Sequence, residues 1–314
     1  RADLLVANAV ARYVRLAVPI TVSVVLAWAW LNALPTAADD LAARLDNPSR
    51  WLGGTHQAPI PDLGFAVTDG LFWNFYNGES LFNNVLWTMQ IELIGSLGLF
   101  LIYWVTRGRP RHVAIGLGLA VLATGLSFQF AYLAFALGAI LQELWRRGWH
   151  RTPWVWMPVA AFVLGVALGG FGRGAHDRLG LPLPLDIISL KLGKPEGAMP
   201  VVAATLILYG VLTSPALARA FSTAVPRWLG RVSFPLYLVH VPLLYTVIAY
   251  LYVAWGLGLA ASFALYLALT LVLAFVFTLL VEEPTLKATR WVRAVIAGDQ
   301  RRLALASARP PGAD

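Results

Sequence analysis

The feature that most constrains this chain is a succession of apolar runs, among them "LFNNVLWTMQIELIGSLGLFLIYWV" over 81–105 and "LGLAASFALYLALTLVLAFVFTLLV" over 257–281. A helix needs about 20 residues to cross a hydrocarbon core of ~30 Å. Inside lipid every backbone N–H and C=O must be satisfied within the protein, which leaves helices as the economical solution for such runs. The sequence is 59% hydrophobic and only 13% charged, against roughly a quarter charged for a soluble domain. Its mean hydropathy of +0.68 points the same way. The expected fold is therefore all-α, a polytopic integral membrane helix bundle of about eight transmembrane helices.

The spans are expected near 16–34, 84–105, 113–127, 129–145, 154–171, 199–214, 233–253 and 257–281. Residues 1–286 form the membrane domain, and 287–314 a basic cytoplasmic tail that begins as a surface-lying helix. Placing the N-terminus in the cytoplasm puts all but six of the 24 Lys and Arg on the inner side. The exceptions are Arg44, Arg50, Arg173, Arg178, Lys191 and Lys194. This is the positive-inside arrangement, with both termini cytoplasmic in a multi-pass protein of the plasma membrane. It also explains the +8 net charge without nucleic acid, since the basic residues are shared among short loops beside apolar helices where anionic lipid lies.

Two outer loops are long. Residues 35–83 carry an aromatic cluster of Trp51, Phe65, Phe72, Trp73, Phe75 and Tyr76, and residues 172–198 are Gly- and Pro-rich with His176 and Asp177. Such loops cover an acceptor site or place aromatics at the membrane interface, and both readings stand. The absence of cysteine excludes disulfides, thiolate metal sites and a cysteine acyl-enzyme. No metal site and no permanently bound cofactor is expected. The opening "RADLLVANAVARYVRLAVP" is basic and interfacial and shows no cleavage site.

Against this apolar background the polar residues stand out. Asn84, Thr88, Glu92 and Ser96 recur every four residues and so share one drifting helix face, with Trp87 beside it. Gly95 and Gly98 would let a neighbouring helix approach closely. A carboxylate facing lipid costs at least a few kcal/mol, so Glu92 faces protein or a polar cavity. It is a functional acid or, alternatively, a structural one bonded to another helix. In "RVSFPLYLVHVPLLY" over 231–245, Ser233, Tyr237 and His240 also share a face, and Pro242 frees a backbone carbonyl one turn earlier. His240 is either a proton carrier or a satisfied structural residue. At ~1.5 Å per residue Glu92 and His240 differ in height by about 8 Å, close enough to line one passage if their helices are neighbours. Arg12 and Arg15 share a face at the expected cytoplasmic mouth of the first span, where two guanidinium groups suit phosphate oxygens, although positive-inside charge alone would also account for them. Glu282 and Glu283, expected to end the last span, oppose its dipole there and call for a basic partner such as Arg231 or the Arg12 pair.

Together these segments resemble the membrane-bound acyltransferase 3 family. The resemblance rests, in order, on "ARYVRLAVP" with its R-x-x-R pair, "NNVLWTMQIEL", "RVSFPLYLVHVPLL" and "VEEP", and spans essentially the whole chain. Members normally begin with two further spans, the first bearing an Arg and the histidine regarded as the family's catalytic base. Neither segment matches here, and His240 corresponds to a later motif, so the chain is expected to be an N-terminally truncated form, the alternative being a divergent eight-span relative. The resemblance implies transfer of an acyl group, usually acetyl, from cytoplasmic acyl-CoA to a hydroxyl of a glycan or other small acceptor at the membrane. On that reading Glu92 and His240 handle the proton, Arg12 and Arg15 hold the CoA phosphates, and Trp87, Thr88, Asn84, Tyr237 and Ser233 shape the substrate site. Acyl-CoA, the hydroxylated acceptor and membrane lipid are the expected partners. A proton-coupled transporter using the same buried groups, or a catalytically inactive remnant, are the competing expectations.

Overall fold

The computed structural model describes residues 2–45, 59–127, 129–148, 154, 156–170 and 198–298. Trp51, most of the loop expected at 172–198 with His176 and Asp177, and the tail beyond 298 lie outside the described residues. The described residues are mostly helical, with no strand among them. The chain divides into two compact units, one of residues 1–97 with 228–314 and the other of residues 98–227.

The first unit is built on α1 (Ala2–Ala33). Leu16, Ile20, Val24, Ala27 and Leu31 recur every three or four residues along it and are buried, a continuous apolar stripe on one face. Against that stripe pack Leu86 and Met89, Leu238, Tyr245 and Phe277, drawn from three later segments. The stretch expected as a long outer loop holds helices instead: α2 (Ala37–Arg44), α3 (Leu63–Thr68), a π-helical turn (Asp69–Trp73) and α4 (Asn74–Asn77). They form because Asp62 caps α3 by accepting from the Phe65 N–H, and because Phe75 and Ala66 have the α1 core to bury against. Phe72, Trp73 and Tyr76 of the aromatic cluster remain exposed.

A 3₁₀ turn (Asn84–Leu86) leads into α5 (Trp87–Val105), whose residues divide between the two units at Leu97. The first unit resumes at Trp228 within α11 (Ala224–Leu243), which runs through a π turn (Leu244–Ile248) into α12 (Ala249–Trp255). It closes with α13 (Leu259–Phe277), a third π turn (Thr278–Glu282) and α14 (Glu283–Ile296). The helix therefore does not end at Glu282 and Glu283, contrary to the expectation from sequence. Pro284 follows the π turn within the continuing helix, and the widened ladder there takes up the change of register where its N–H is missing.

The second unit contains α6 (Pro110–Leu126), α7 (Phe130–Arg146), α8 (Trp156–Gly170), α9 (Ala198–Thr213) and α10 (Pro215–Phe221). Val113 and Leu117 of α6 bury against Ala139 of α7 and Ile102 of α5. At one end of this group the Tyr103 hydroxyl donates to Glu143 (2.8 Å), which also accepts from Arg146 (3.1 Å). Helices α8 and α9 meet backbone to backbone. A Cβ on Gly165 would fall 2.7 Å from the Ala203 carbonyl oxygen, and one on Gly210 2.6 Å from that of Pro158. Small residues allow this approach, and in a membrane such packing replaces the hydrophobic drive that lipid removes. The close contact expected at Gly98 is not made among the described residues, none of which comes within 4 Å of its missing Cβ.

The number of spans differs from expectation. Helices occupy all eight expected stretches, but among the described residues only four are long and apolar enough to cross: Asp3–Ala33, Asn84–Val105, Ala224–Trp255 and Leu259–Ile296. A fifth is reached if Met199–Thr213 and Pro215–Phe221, bent by 99° at Ser214, count as one span. The shortfall is one of length, since 17 residues in α6 or α7 rise only about 25 Å.

Two outcomes are expected of this architecture. Gly165→Ala and Gly210→Ala each force backbone carbonyls apart, so each should lower the melting temperature in detergent by the equivalent of about 1–3 kcal/mol; melting curves identical to wild type would show that α8 and α9 do not pack this way. Asp69 is buried in the first π turn, where it accepts from the Ser80 hydroxyl (2.6 Å). Burial pushes its carboxyl up to about 6, outweighing the Ser80 and Leu81 hydrogen bonds that act in the opposite sense. A carboxyl raised in the folded state stabilises fully below its unfolded value of about 4, and that contribution is lost as pH rises through the folded value. The melting temperature of the wild type should therefore fall across this window, and Asp69→Asn should flatten the slope.

Candidate functional site

The first unit contains a cavity of about 400 Å³ lined by Arg12, Arg15, Leu16, Thr88, Met89, Glu92, Ser233, Phe234 and Tyr237. Three helices build it. Arg12, Arg15 and Leu16 lie on one face of α1, Thr88, Met89 and Glu92 on one face of α5, and Ser233, Phe234 and Tyr237 on one face of α11. Six of the nine residues singled out from the sequence thus meet in one place. The two arginines occupy the interior of α1, which begins at Ala2, and not the mouth of a helix.

The walls are charged in pairs. Arg12 donates from Nη2 to Glu92 Oε1, and Arg15 from Nη2 to Glu282 Oε1 at the end of the last π turn. A third pair, Arg231 with Glu283, ties α11 to α14 just outside the cavity lining. The basic partners that Glu282 and Glu283 called for are therefore Arg15 and Arg231. The two pairs at the cavity differ in exposure. The Glu92 side chain is 39% exposed, that of Glu282 only 6%. Arg12 Nε, Arg15 Nη1 and Glu282 Oε2 are buried without a hydrogen-bond partner among the described residues. Each guanidinium thus retains a donor beyond its ion pair, and the Arg15 guanidinium also lies over the Phe234 ring, 5.3 Å from its centroid.

On the opposite wall the Tyr237 hydroxyl donates to the Val85 carbonyl, and Thr88 Oγ1 lies 2.6 Å from the same phenolic oxygen. With the phenol hydrogen spent on a carbonyl, the Thr88 hydroxyl is the donor of that second bond. His240 stands one ring behind, its centroid 5.8 Å from that of Tyr237 and outside the cavity lining. Its Nδ1 is 2.8 Å from the Tyr237 carbonyl oxygen and 3.1 Å from that of Leu236. Carbonyls only accept, so Nδ1 carries the hydrogen and Nε2 is the basic atom of the neutral ring. Asn84 opens the 3₁₀ turn, and Trp87 begins α5 with 54% of its surface exposed; neither lines the cavity. Ser96, a turn beyond Glu92, donates to the Glu92 backbone carbonyl (2.7 Å).

The residue that the sequence did not single out is Asn83. Pro242 has no N–H to offer Leu238, and the freed Leu238 carbonyl accepts from Ser23 Oγ (2.8 Å) and from Asn83 Nδ2 (2.8 Å). Asn83 Nδ2 also donates to Ser23 Oγ (3.0 Å), so one carbonyl joins α1, the start of α5 and α11. Asn83 is fully buried. Leu238 adjoins Tyr237 directly, so this knot fixes the turn of α11 that faces the cavity. The signal was present as a proline with an orphaned carbonyl, but nothing local named the partners that would satisfy it. Asn83→Ala should cost about 1–3 kcal/mol by leaving a buried carbonyl half-satisfied. Ser23→Ala also leaves the carbonyl one donor but removes a single oxygen and opens a smaller void, so it should cost less. Denaturation of both variants in detergent checks the order, and equal stability to wild type would refute the assignment.

Comparison with known proteins finds no curated protein and no solved structure that matches the chain. A family model does match, that of an acyltransferase domain, and it runs over residues 5–279. The match takes in all three walls of the cavity and most of the sequence. The chain belongs to the acyltransferase 3 family and is a membrane acyltransferase.

Proposed function

We propose that this protein transfers an acyl group, acetyl in the simplest case, from acyl-CoA to a hydroxyl of a glycan or other small hydroxylated acceptor at the membrane. The observation that carries this reading is the convergence of two arginines, a carboxylate, a threonine and a tyrosine on one cavity between apolar helices. Ionisable groups are costly at such a depth and are retained where chemistry uses them.

In the proposed reaction the acceptor oxygen bonds to the thioester carbonyl carbon and the C–S bond breaks. The hydroxyl proton passes to a base and from there to the departing thiolate, giving an ester and free CoA. Glu92 stands at the cavity wall to receive that proton, and His240, with Nε2 as its accepting atom, stands behind Tyr237 to share it. Arg12 and Arg15, which line the cavity, supply guanidinium N–H groups to phosphate oxygens of CoA. Ser233, Thr88 and Tyr237 shape the pocket for the acyl group and acceptor, with Asn84 and Trp87 at its margin. The proposed setting is the plasma membrane, with both termini cytoplasmic so that the donor arrives from the cytosol.

Arg12→Ala and Arg15→Ala should each weaken acetyl-CoA binding to the purified protein by about tenfold or more, as expected for loss of a charge-assisted contact. Isothermal titration in lipid nanodiscs reads the affinity directly. Unchanged affinity in both variants would remove the arginines from the donor site.

A further inference from the structure

The two ion pairs at the cavity are chemically alike and placed very differently. Glu282 is sealed into the end of a π turn, with its side chain 6% exposed. Glu92 points into open volume with its side chain 39% exposed, and Arg12 stands beside it on the cavity wall with Nε buried and unpartnered among the described residues. An unpaired guanidinium inside an apolar bundle would be expensive, so an arginine that serves an anionic ligand requires another counter-ion until the ligand arrives. A buried counter-ion is permanent. An exposed one is exchangeable.

We infer that Glu92 is the resting counter-ion of Arg12 and that an incoming phosphate of acyl-CoA displaces it, releasing the carboxylate into the cavity beside the acceptor hydroxyl. This rests on the acyl-CoA reading above and adds to it an order of events: the acid is engaged by Arg12 until the donor binds. Arg15 stays on Glu282 throughout and holds the cavity wall in place. The exchange makes the binding of donor and the availability of Glu92 one event, because a single guanidinium cannot satisfy both partners with the same N–H groups. It also carries a cost. If Arg12 is free of Glu92 only about a tenth of the time, the apparent donor affinity is reduced about tenfold.

Removing the competitor should therefore tighten binding. Acetyl-CoA is titrated into the full chain in nanodiscs, as wild type and as Glu92→Gln, Glu92→Asp and Glu283→Gln. Glu92→Gln should bind about tenfold more tightly, the reverse of the usual result of mutating a site residue. Glu92→Asp, whose carboxylate is withdrawn by one methylene, should tighten binding by a smaller factor. Glu283→Gln removes the same charge from the pair outside the cavity lining and should leave the affinity within about twofold, separating exchange from a general rise in positive potential. Unchanged or weaker binding in Glu92→Gln overturns the exchange, as does equal tightening in Glu283→Gln. If Glu92→Gln does not melt cooperatively, Glu92→Asp decides, and the wild-type affinity in that variant overturns the exchange too. No binding of acetyl-CoA by wild type overturns the donor reading itself, a result distinct from all the others.

Discussion

A guanidinium group keeps its charge at any accessible pH, so an arginine placed within an apolar bundle must find a counter-ion. That requirement organises the first unit of this protein. Arg12, Arg15 and Arg231 each meet a glutamate from a distant part of the sequence, and the pairs join α1 to α5, α1 to the π turn after α13, and α11 to α14. Apolar packing alone specifies such contacts poorly inside lipid, since a leucine is as content against a lipid tail as against another helix. Charge pairs and the Leu238 knot supply the register that packing leaves open.

The same groups serve two purposes. The buried pair, Arg15 with Glu282, acts as a fastening, while the exposed pair opens onto a cavity whose other wall is a hydroxyl network anchored on a backbone carbonyl. The architecture is thus graded, from fully enclosed polar contacts near Asn83 and Glu282 to accessible ones at Glu92 and Ser233. Rigid polar contacts around a more accessible reactive group are a general way to hold a site in place while leaving it open to ligand.

Much of the site was legible in the sequence because ionisable residues in apolar runs are few and their helical spacing is simple to trace. Thr88 with Glu92 and Ser233 with Tyr237 were placed on their faces by spacing alone, and both faces line the cavity. The carbonyl freed by Pro242 was foreseen, but its partners, Ser23 and Asn83, come from elsewhere in the chain, and no local pattern selects them. The extent of the helices was less legible. Hydropathy marks where apolar residues lie but does not distinguish a crossing helix from one too short to cross, and it missed the short helices Ala37–Arg44, Leu63–Thr68 and Asn74–Asn77, which draw their stability from tertiary packing. The π turns left no local pattern, although two of the three adjoin a proline, Pro242 or Pro284, that is plain in the sequence. Close packing at Gly165 and Gly210 went unnoticed because a glycine in an apolar run looks alike whether or not a helix lies against it.

The π turn at Thr278–Glu282 has a consequence for how this segment tolerates change in length. Such a turn carries one residue more than the α-helical ladder around it, so losing a single residue there would let the backbone close into an ordinary helix at little cost to its hydrogen bonds. The residues of α14 would keep their phase, because the widened turn already takes up the extra residue without passing a rotation of about 100° along the chain. Losing one residue from the regular ladder of α13 or α14 would instead turn everything beyond it by that angle. The two interhelical glutamate contacts therefore sit beside the one place in this segment where the chain can shorten without unseating its neighbours.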